Sequence, residues 1–206
     1  VEAEVHKLIS DYIALAAHQL RTPLSAIKTY SHMLIDGYMG EVSSAQKKSL
    51  RTIIAGTNRM NELISTLLNI TRLESGNMVA NIKEVYPVRL LEEIVKEHAL
   101  SAADRDIHLI FKAPKSSNQS IKTDALLFKE ILSNLVSNAI KYTPEGGKVS
   151  LHTKNRRYDV LFSVADSGVG IPKHAQDQIF TKFFRAQNVV RQETSGTGLG
   201  LYLVKG

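Results

Sequence analysis

The chain has 206 residues, of which 43% are hydrophobic and 22% charged, an ordinary balance for one or two soluble globular domains. It contains no cysteine, which excludes a disulfide framework and cysteine-based metal or redox chemistry and fits a reducing, cytoplasmic setting. The formal charge is +6, yet Lys and Arg are scattered among Asp and Glu, so a solvated surface is expected and nucleic acid is not a predicted partner.

No apolar run approaches the ~18 residues of a membrane-spanning helix, and the N-terminus lacks the pattern of a signal peptide. The pattern is already under way at Val1 and stops abruptly at Gly206, so the sequence reads as a piece of a longer polypeptide. Any membrane anchor is expected upstream of it.

Two long helical patterns come first. From about Glu2 to Ile35, Leu8, Leu15, Leu24, Ile27 and Leu34 recur at helical spacing, and a break follows at Asp36-Gly37-Tyr38-Met39-Gly40. A second helix is predicted from about Ser44 to Glu74, with Leu50, Ile53, Ile54, Thr57, Met60, Ile64, Leu67 and Leu68 on one stripe, ending near Ser75-Gly76. Two helices alone bury too little surface, and the stripe is wide. Pairing with a second copy into a four-helix bundle meets that need, so a homodimer is expected.

After Gly76 the character changes. Short β-like runs stand at Ile82–Tyr86, Ile107–Phe111, Ser120–Lys122, Lys148–Thr153 and Tyr158–Ala165, with helices predicted at about Pro87–Ala103 and Ala125–Tyr142. Gly146-Gly147 and Asn155–Arg157 read as turns. The expectation is an all-α hairpin over residues 1–76, followed by an α+β two-layer sandwich over residues 77–206 with helices on a mixed sheet.

Five constellations carry chemistry. The first is Ala17-His18-Gln19-Leu20-Arg21-Thr22-Pro23-Leu24, in which a proline follows a helical histidine where it kinks or interrupts the hydrogen-bond ladder. Imidazole is nucleophilic near neutral pH, and Thr22 lies one helical turn beyond it. In the second, Glu130, Asn134, Asn138 and Lys141 share one helix face, followed by Tyr142. A carboxamide oxygen is a hard ligand and Lys an ammonium donor, so this face suits metal-bound phosphates or is simply a polar surface.

The third is Asp166-Ser167-Gly168-Val169-Gly170 at a strand end, where a carboxylate can accept from an exocyclic amine and glycines let backbone approach a base. The fourth is Ile179-Phe180-Thr181-Lys182-Phe183-Phe184-Arg185, whose phenylalanines could equally serve a core. The fifth is Ser195-Gly196-Thr197-Gly198-Leu199-Gly200-Leu201, alternating glycines that present backbone amides to an anion. No lysine follows as in the common phosphate loop, and no strand precedes as in a dinucleotide fingerprint. The remaining histidines show no metal-ligand spacing.

Taken together and in this order, the five resemble the phosphoacceptor, N, first glycine, F and second glycine boxes of the sensor histidine kinases of two-component systems. The resemblance covers nearly the whole chain. It implies a dimeric helical bundle followed by a Bergerat-type ATP domain of the kind shared with gyrase, chaperone and mismatch-repair ATPases. ATP and Mg2+ are the implied ligands, His18 the implied phosphoacceptor, and an aspartate of a response-regulator receiver domain, docked low on the bundle, the implied recipient.

By the same likeness Asn138 ligates magnesium with Asn134 in support, and Lys141 and Tyr142 approach the phosphates. Asp166, with Gly168 and Gly170, meets adenine. Arg185 reaches the terminal phosphate, and Gly196, Thr197, Gly198, Leu199 and Gly200 form the second glycine box. Ala186–Thr194 is then the lid over ATP. Thr22 would help place a water that dephosphorylates the regulator, against a plain reading of local hydrogen bonding before Pro23.

Two departures stand out. The family has Glu or Asp where this chain has Gln19, an amide that cannot act as a base, so an autokinase-impaired scaffold or phosphatase is the alternative reading. The family also continues through the rest of a helix and two more strands past the second glycine box. A gyrase- or chaperone-like ATPase is disfavoured, because those enzymes need a carboxylate where Asn134 stands.

Overall fold

The computed structural model describes residues 2–76, 78–112, 119–156, 159–190 and 196–205. The chain forms two compact units, Val1–Met78 and Val79–Gly206. In the first, α1 (Glu2–Ile35) and α2 (Ser44–Glu74) pack as a hairpin. Gly37 ends α1 at φ 84, a left-handed value that suits glycine. This lets the Tyr38 amide reach the Met33 carbonyl at 3.0 Å. A capping box starts α2: the Ser43 amide donates to Gln46 Oε1 at 2.7 Å, and the Gln46 amide donates to Ser43 Oγ.

Helix α1 runs through Pro23 without interruption. Proline has no N–H, so the Gln19 carbonyl, four residues earlier, lacks its usual intrahelical donor. The predicted stripe of α1 divides in two. Ala17, Leu24 and Ser31 are buried at seven-residue steps, as are Thr57, Ile64 and Thr71 on α2. Ala17, Leu24 and Ile64 form one cluster with Leu68 against it. A second seven-residue series stays exposed: Leu20 and Ile27 on α1, and Ile53, Met60 and Leu67 on α2. Leu8 and Leu15, which share the helical spacing with Leu24, are exposed as well, at 73% and 59%. Within a single copy, one hairpin face can cover only one of the two series.

The second unit holds β1 (Lys83–Val85), α3 (Pro87–Ala103), β2 (His108–Phe111), β3 (Ile121–Thr123), α4 (Ala125–Tyr142), β4 (Lys148–Asn155), β5 (Val160–Asp166), α5 (Gln187–Val190) and α6 (Gly200–Lys205). Among the described residues the strands make two sheets, not one. β1 pairs antiparallel with β3, while β4 lies between β2, which is parallel to it, and β5, which is antiparallel. Asn155, expected in a turn, prolongs β4; Arg157 and Tyr158 lie outside the described residues.

The core of this unit joins Leu91, Ile94 and Ala102 of α3, Leu132, Val136, Ala139 and Ile140 of α4, and Val149 and Leu151 of β4. Phe128 and Phe162 meet edge-to-face at 4.9 Å between centroids. Two polar ties also cross from α3 to α4: Lys129 pairs with Glu93 and Glu97, and His98 Nε2 lies 2.8 Å from Ser133 Oγ.

Asp124 caps α4 and anchors the chain before β1. Its Oδ1 accepts from the Leu126 and Leu127 amides, and its Oδ2 accepts from the Asn81 amide at 2.8 Å. The amides of Asn81 and Leu127 hold this carboxyl below the usual aspartate range, and Lys83 adds to the shift. Because the folded state favours the ionised form, this stabilisation is present above the unfolded value of about 4 and fades as pH falls through the lower folded value. Asp124→Asn keeps a capping side chain but cannot titrate. Its melting midpoint is therefore expected to fall less steeply than that of the parent chain between about pH 5 and pH 3. Equal slopes in thermal unfolding would count against this role.

Candidate functional site

On α4, Asn134, Asn138, Lys141 and Tyr142 are half-buried along the face that α6 covers. Gly200, the first residue of α6, faces both carboxamides: a Cβ there would stand 3.0 Å from Asn134 Oδ1 and 3.8 Å from Asn138 Nδ2. At Gly196 a Cβ would meet Lys141 Nζ at 3.1 Å, Arg185 Nε at 3.2 Å and Tyr142 Oη at 3.3 Å. Two cations and a phenol thus converge on a stretch of bare backbone, the composition of an anion site. Thr197 Oγ1 accepts from the Leu199 amide at 3.3 Å and shapes the turn into α6.

Gly198, at φ 71, presses on Phe183 and Phe184 so closely that a Cβ would lie 2.6 Å from the Phe183 carbonyl carbon. The Phe183 amide donates to the Gly198 carbonyl at 3.1 Å. Phe183 itself sits at φ 61 and is 68% exposed, so it does not serve the core.

Asp166 ends β5, and its Oδ1 accepts from the Gly168 amide at 2.9 Å, which fixes the direction of the carboxylate. Gly168 is packed against the end of α4: a Cβ would be 2.5 Å from the Tyr142 carbonyl, the same carbonyl that accepts from the Val169 amide at 3.2 Å. Only glycine fits there. Gly170 takes φ 67, and its carbonyl accepts from Asn188 Nδ2 at 3.1 Å.

Sequence reasoning missed that last bond. Asn188 lies in the stretch read as a patternless lid, yet residues 187–190 form a helical turn tied to the first glycine box. The rest of the predicted lid, residues 191–194, and Ser195 lie outside the described residues. A hint was present in Asn188, a side chain with both donor and acceptor in an otherwise unremarkable run.

In the hairpin unit, His18 follows buried Ala17 and is itself exposed, as are Gln19, Leu20, Arg21, Thr22 and Pro23. Thr22 Oγ1 points back to the His18 carbonyl across a long 3.5 Å. The imidazole is therefore presented on the helix surface with open access. Among the described residues no group of three or more His, Cys, Asp or Glu is placed to hold a metal. The donor set fits a metal that brings its own phosphate ligands, with the Asn138 carboxamide in reach.

Two family models match the chain: the His Kinase A (phospho-acceptor) domain over residues 8–76, and the histidine kinase-, DNA gyrase B- and HSP90-like ATPase over residues 123–206. The phospho-acceptor model spans His18, and the ATPase model spans the whole constellation around α4. The chain thus combines the phospho-acceptor and ATPase domains of the histidine kinases. It is 30% identical over 195 residues to the sensor-like histidine kinase SenX3 of Mycobacterium tuberculosis, covering 95% of this chain and 47% of that protein. It is 31% identical over 207 residues to the sensor protein SrrB of Staphylococcus aureus, covering 99% of this chain and 34% of that protein. The chain thus spans about half or less of the curated relatives it matches.

Among solved structures, full-length ShkA in complex with AMPPNP superposes with a TM-score of 0.73 at 26% identity, over 95% of this chain and 40% of that one. The histidine kinase ThkA in complex with the response regulator TrrA gives a TM-score of 0.56 at 25% identity, over 88% of this chain and 52% of that one. No helix among the described residues is long and apolar enough to cross a membrane.

Proposed function

We propose that this chain is the catalytic core of an ATP-dependent protein-histidine kinase, which phosphorylates itself on His18 and passes the phosphoryl group to an aspartate of a response regulator. The observation that carries this reading is the convergence of Lys141, Arg185 and Tyr142 on the Gly196 backbone, beside the carboxamides of Asn134 and Asn138. The two cations would offset phosphate charge, and Arg185 would neutralise charge developing on the terminal phosphate. The Asn138 oxygen would ligate Mg2+, with Asn134 in support. Asp166 would accept from the adenine amine, its direction set by Gly168. ATP supplies the phosphoryl group. A ring nitrogen of His18 would form the new N–P bond as the bond from the terminal phosphorus to the ADP oxygen breaks, and the imidazole proton would pass to water, since the Gln19 amide cannot take it. Labelling with ATP and Mg2+ tests this reading: an acid-labile label that vanishes in His18→Ala is the expected result.

The same reading assigns residues 1–76 to dimerisation and phosphotransfer and residues 77–206 to nucleotide binding, with the catalytic portion in the cytoplasm. The exposed apolar series Leu20, Ile27, Ile53, Met60 and Leu67 supports a homodimer, since a second hairpin would cover it in a four-helix bundle. Ile53→Glu together with Met60→Glu is expected to weaken dimerisation by about a hundredfold or more, because each carboxylate would be desolvated without a partner. Sedimentation equilibrium reads this directly; an unchanged dimer would rule out that face as the interface. Thr22, one turn from His18, remains the candidate for orienting a water in dephosphorylation of the regulator.

A further inference from the structure

The second unit ties together two stretches of chain that are distant in sequence. Lys182 Nζ lies 5.3 Å from the centroid of the Tyr202 ring, and Lys205 Nζ lies 6.0 Å from that of Phe180. The two pairs run in opposite senses: each stretch offers one cation and one ring. Between them the Phe183 amide donates to the Gly198 carbonyl at 3.1 Å. The left-handed φ of 61 at Phe183 is uncommon for a bulky residue and persists only where the surroundings impose it.

These are the stretches that bring Arg185 and Gly196 together. Arg185 lies three residues beyond Lys182, and α6, which carries Tyr202, begins at Gly200 against Asn134 and Asn138. The direction of Arg185 therefore depends on how firmly residues 180–185 are held against α6. Tyr202 is half-buried, whereas Lys182 is exposed. The ring is thus the fixed part of the clasp and the ammonium the part that closes on it.

We infer that Tyr202 is a positioning residue: its ring, clasped by Lys182, keeps Arg185 directed at the Gly196 backbone, where a terminal phosphate would lie. The inference rests on the kinase reading of Arg185 and adds a residue outside the phosphate-facing set. An exposed cation–π pair is modest in strength, so losing it is expected to change affinity by about two- to fivefold. The effect is specific: it falls on a ligand with a terminal phosphate and spares one without it.

The test compares ATP and ADP affinities of the whole chain with Mg2+, alongside the melting midpoint of each variant. Tyr202→Leu is expected to weaken ATP about two- to fivefold and leave ADP unchanged, while Tyr202→Phe, which keeps the π face, retains parental values. Lys182→Gln should reproduce the loss, and the double variant should be no worse than either single one, since both break the same contact. Equal losses for ATP and ADP, or additive losses in the double variant, would overturn the inference. If Tyr202→Leu fails to fold, Lys182→Gln, at an exposed side chain, decides alone. Failure of the kinase reading looks different: the parent chain would bind no ATP, or Arg185→Ala would leave the preference for ATP over ADP intact. A parent that discriminates, with Arg185→Ala that does not and Tyr202→Leu that does, would sink the clasp alone.

Discussion

His18→Ala is expected to abolish the acid-labile, alkali-stable label that the chain takes up from terminally labelled ATP with Mg2+. A phosphoramidate has that pattern of stability, whereas phosphoserine and phosphothreonine survive acid. The prediction follows from placement as well as chemistry. His18 is exposed on an unbroken helix, and the residues that follow it through Pro23 are exposed too, so the ring is accessible along one turn. Nucleotide binding should be unchanged in the variant, because Lys141, Arg185, Asn134 and Asn138 belong to the other compact unit. Chelating Mg2+ should remove the label from the parent chain as well, since phosphoryl transfer of this kind depends on charge neutralisation by metal and cations together. Label that persists in His18→Ala would place the acceptor elsewhere. Absence of label in the parent despite ATP binding would leave a scaffold or a phosphatase of the regulator.

Gln19→Glu is expected to raise the initial rate of labelling by about a hundredfold, the lower end of what a positioned general base contributes. The imidazole must lose a proton as the N–P bond forms, and the side chain beside it is an amide that cannot take one. Gln19 is exposed, so a carboxylate there meets no burial cost. Its backbone carbonyl also lacks the donor that Pro23 cannot supply, which gives the helix a weak point beside His18. Initial-rate measurements at saturating ATP separate this effect from binding. An unchanged rate would mean that water or another group already accepts the proton, and that Gln19 serves only to orient the ring.

Much of the architecture could be read directly from residue patterns. Glycine punctuation located the ends of α1 and α2, because the left-handed turns at Gly37 and Gly76 are local devices, whereas the Ser43 capping box at the start of α2 emerged only in the structure. The apolar spacing of α4 likewise marked that helix, and the Asn134, Asn138 and Lys141 face followed from helical periodicity alone, whereas its Asp124 cap emerged only in the structure. Long-range effects were harder to see. The apolar stripe on α1 looked single, yet burial divides it into an inner series at Ala17, Leu24 and Ser31 and an outer one at Leu20 and Ile27. Hydrophobicity has no way to mark which partner covers a residue. The split into two sheets was hidden for a similar reason: β1 and β3 are three residues each, and their pairing rests on contacts between segments almost forty positions apart.

By itself, the sequence determined which side chains this chain has for chemistry: an imidazole on a helix, carboxamides and a lysine one turn apart, and glycines where backbone must stand bare. Those follow from residue type and from periods of a few residues, which are local quantities. Only the tertiary structure decided that Lys141, Tyr142 and Arg185 meet at one glycine, that Asn188 ties down the first glycine box, and that Lys182 clasps Tyr202. Each of these is a meeting of segments whose separation along the chain carries no signal. They are set by how α4, α6 and the intervening loops pack, and packing depends on the shape of the whole unit.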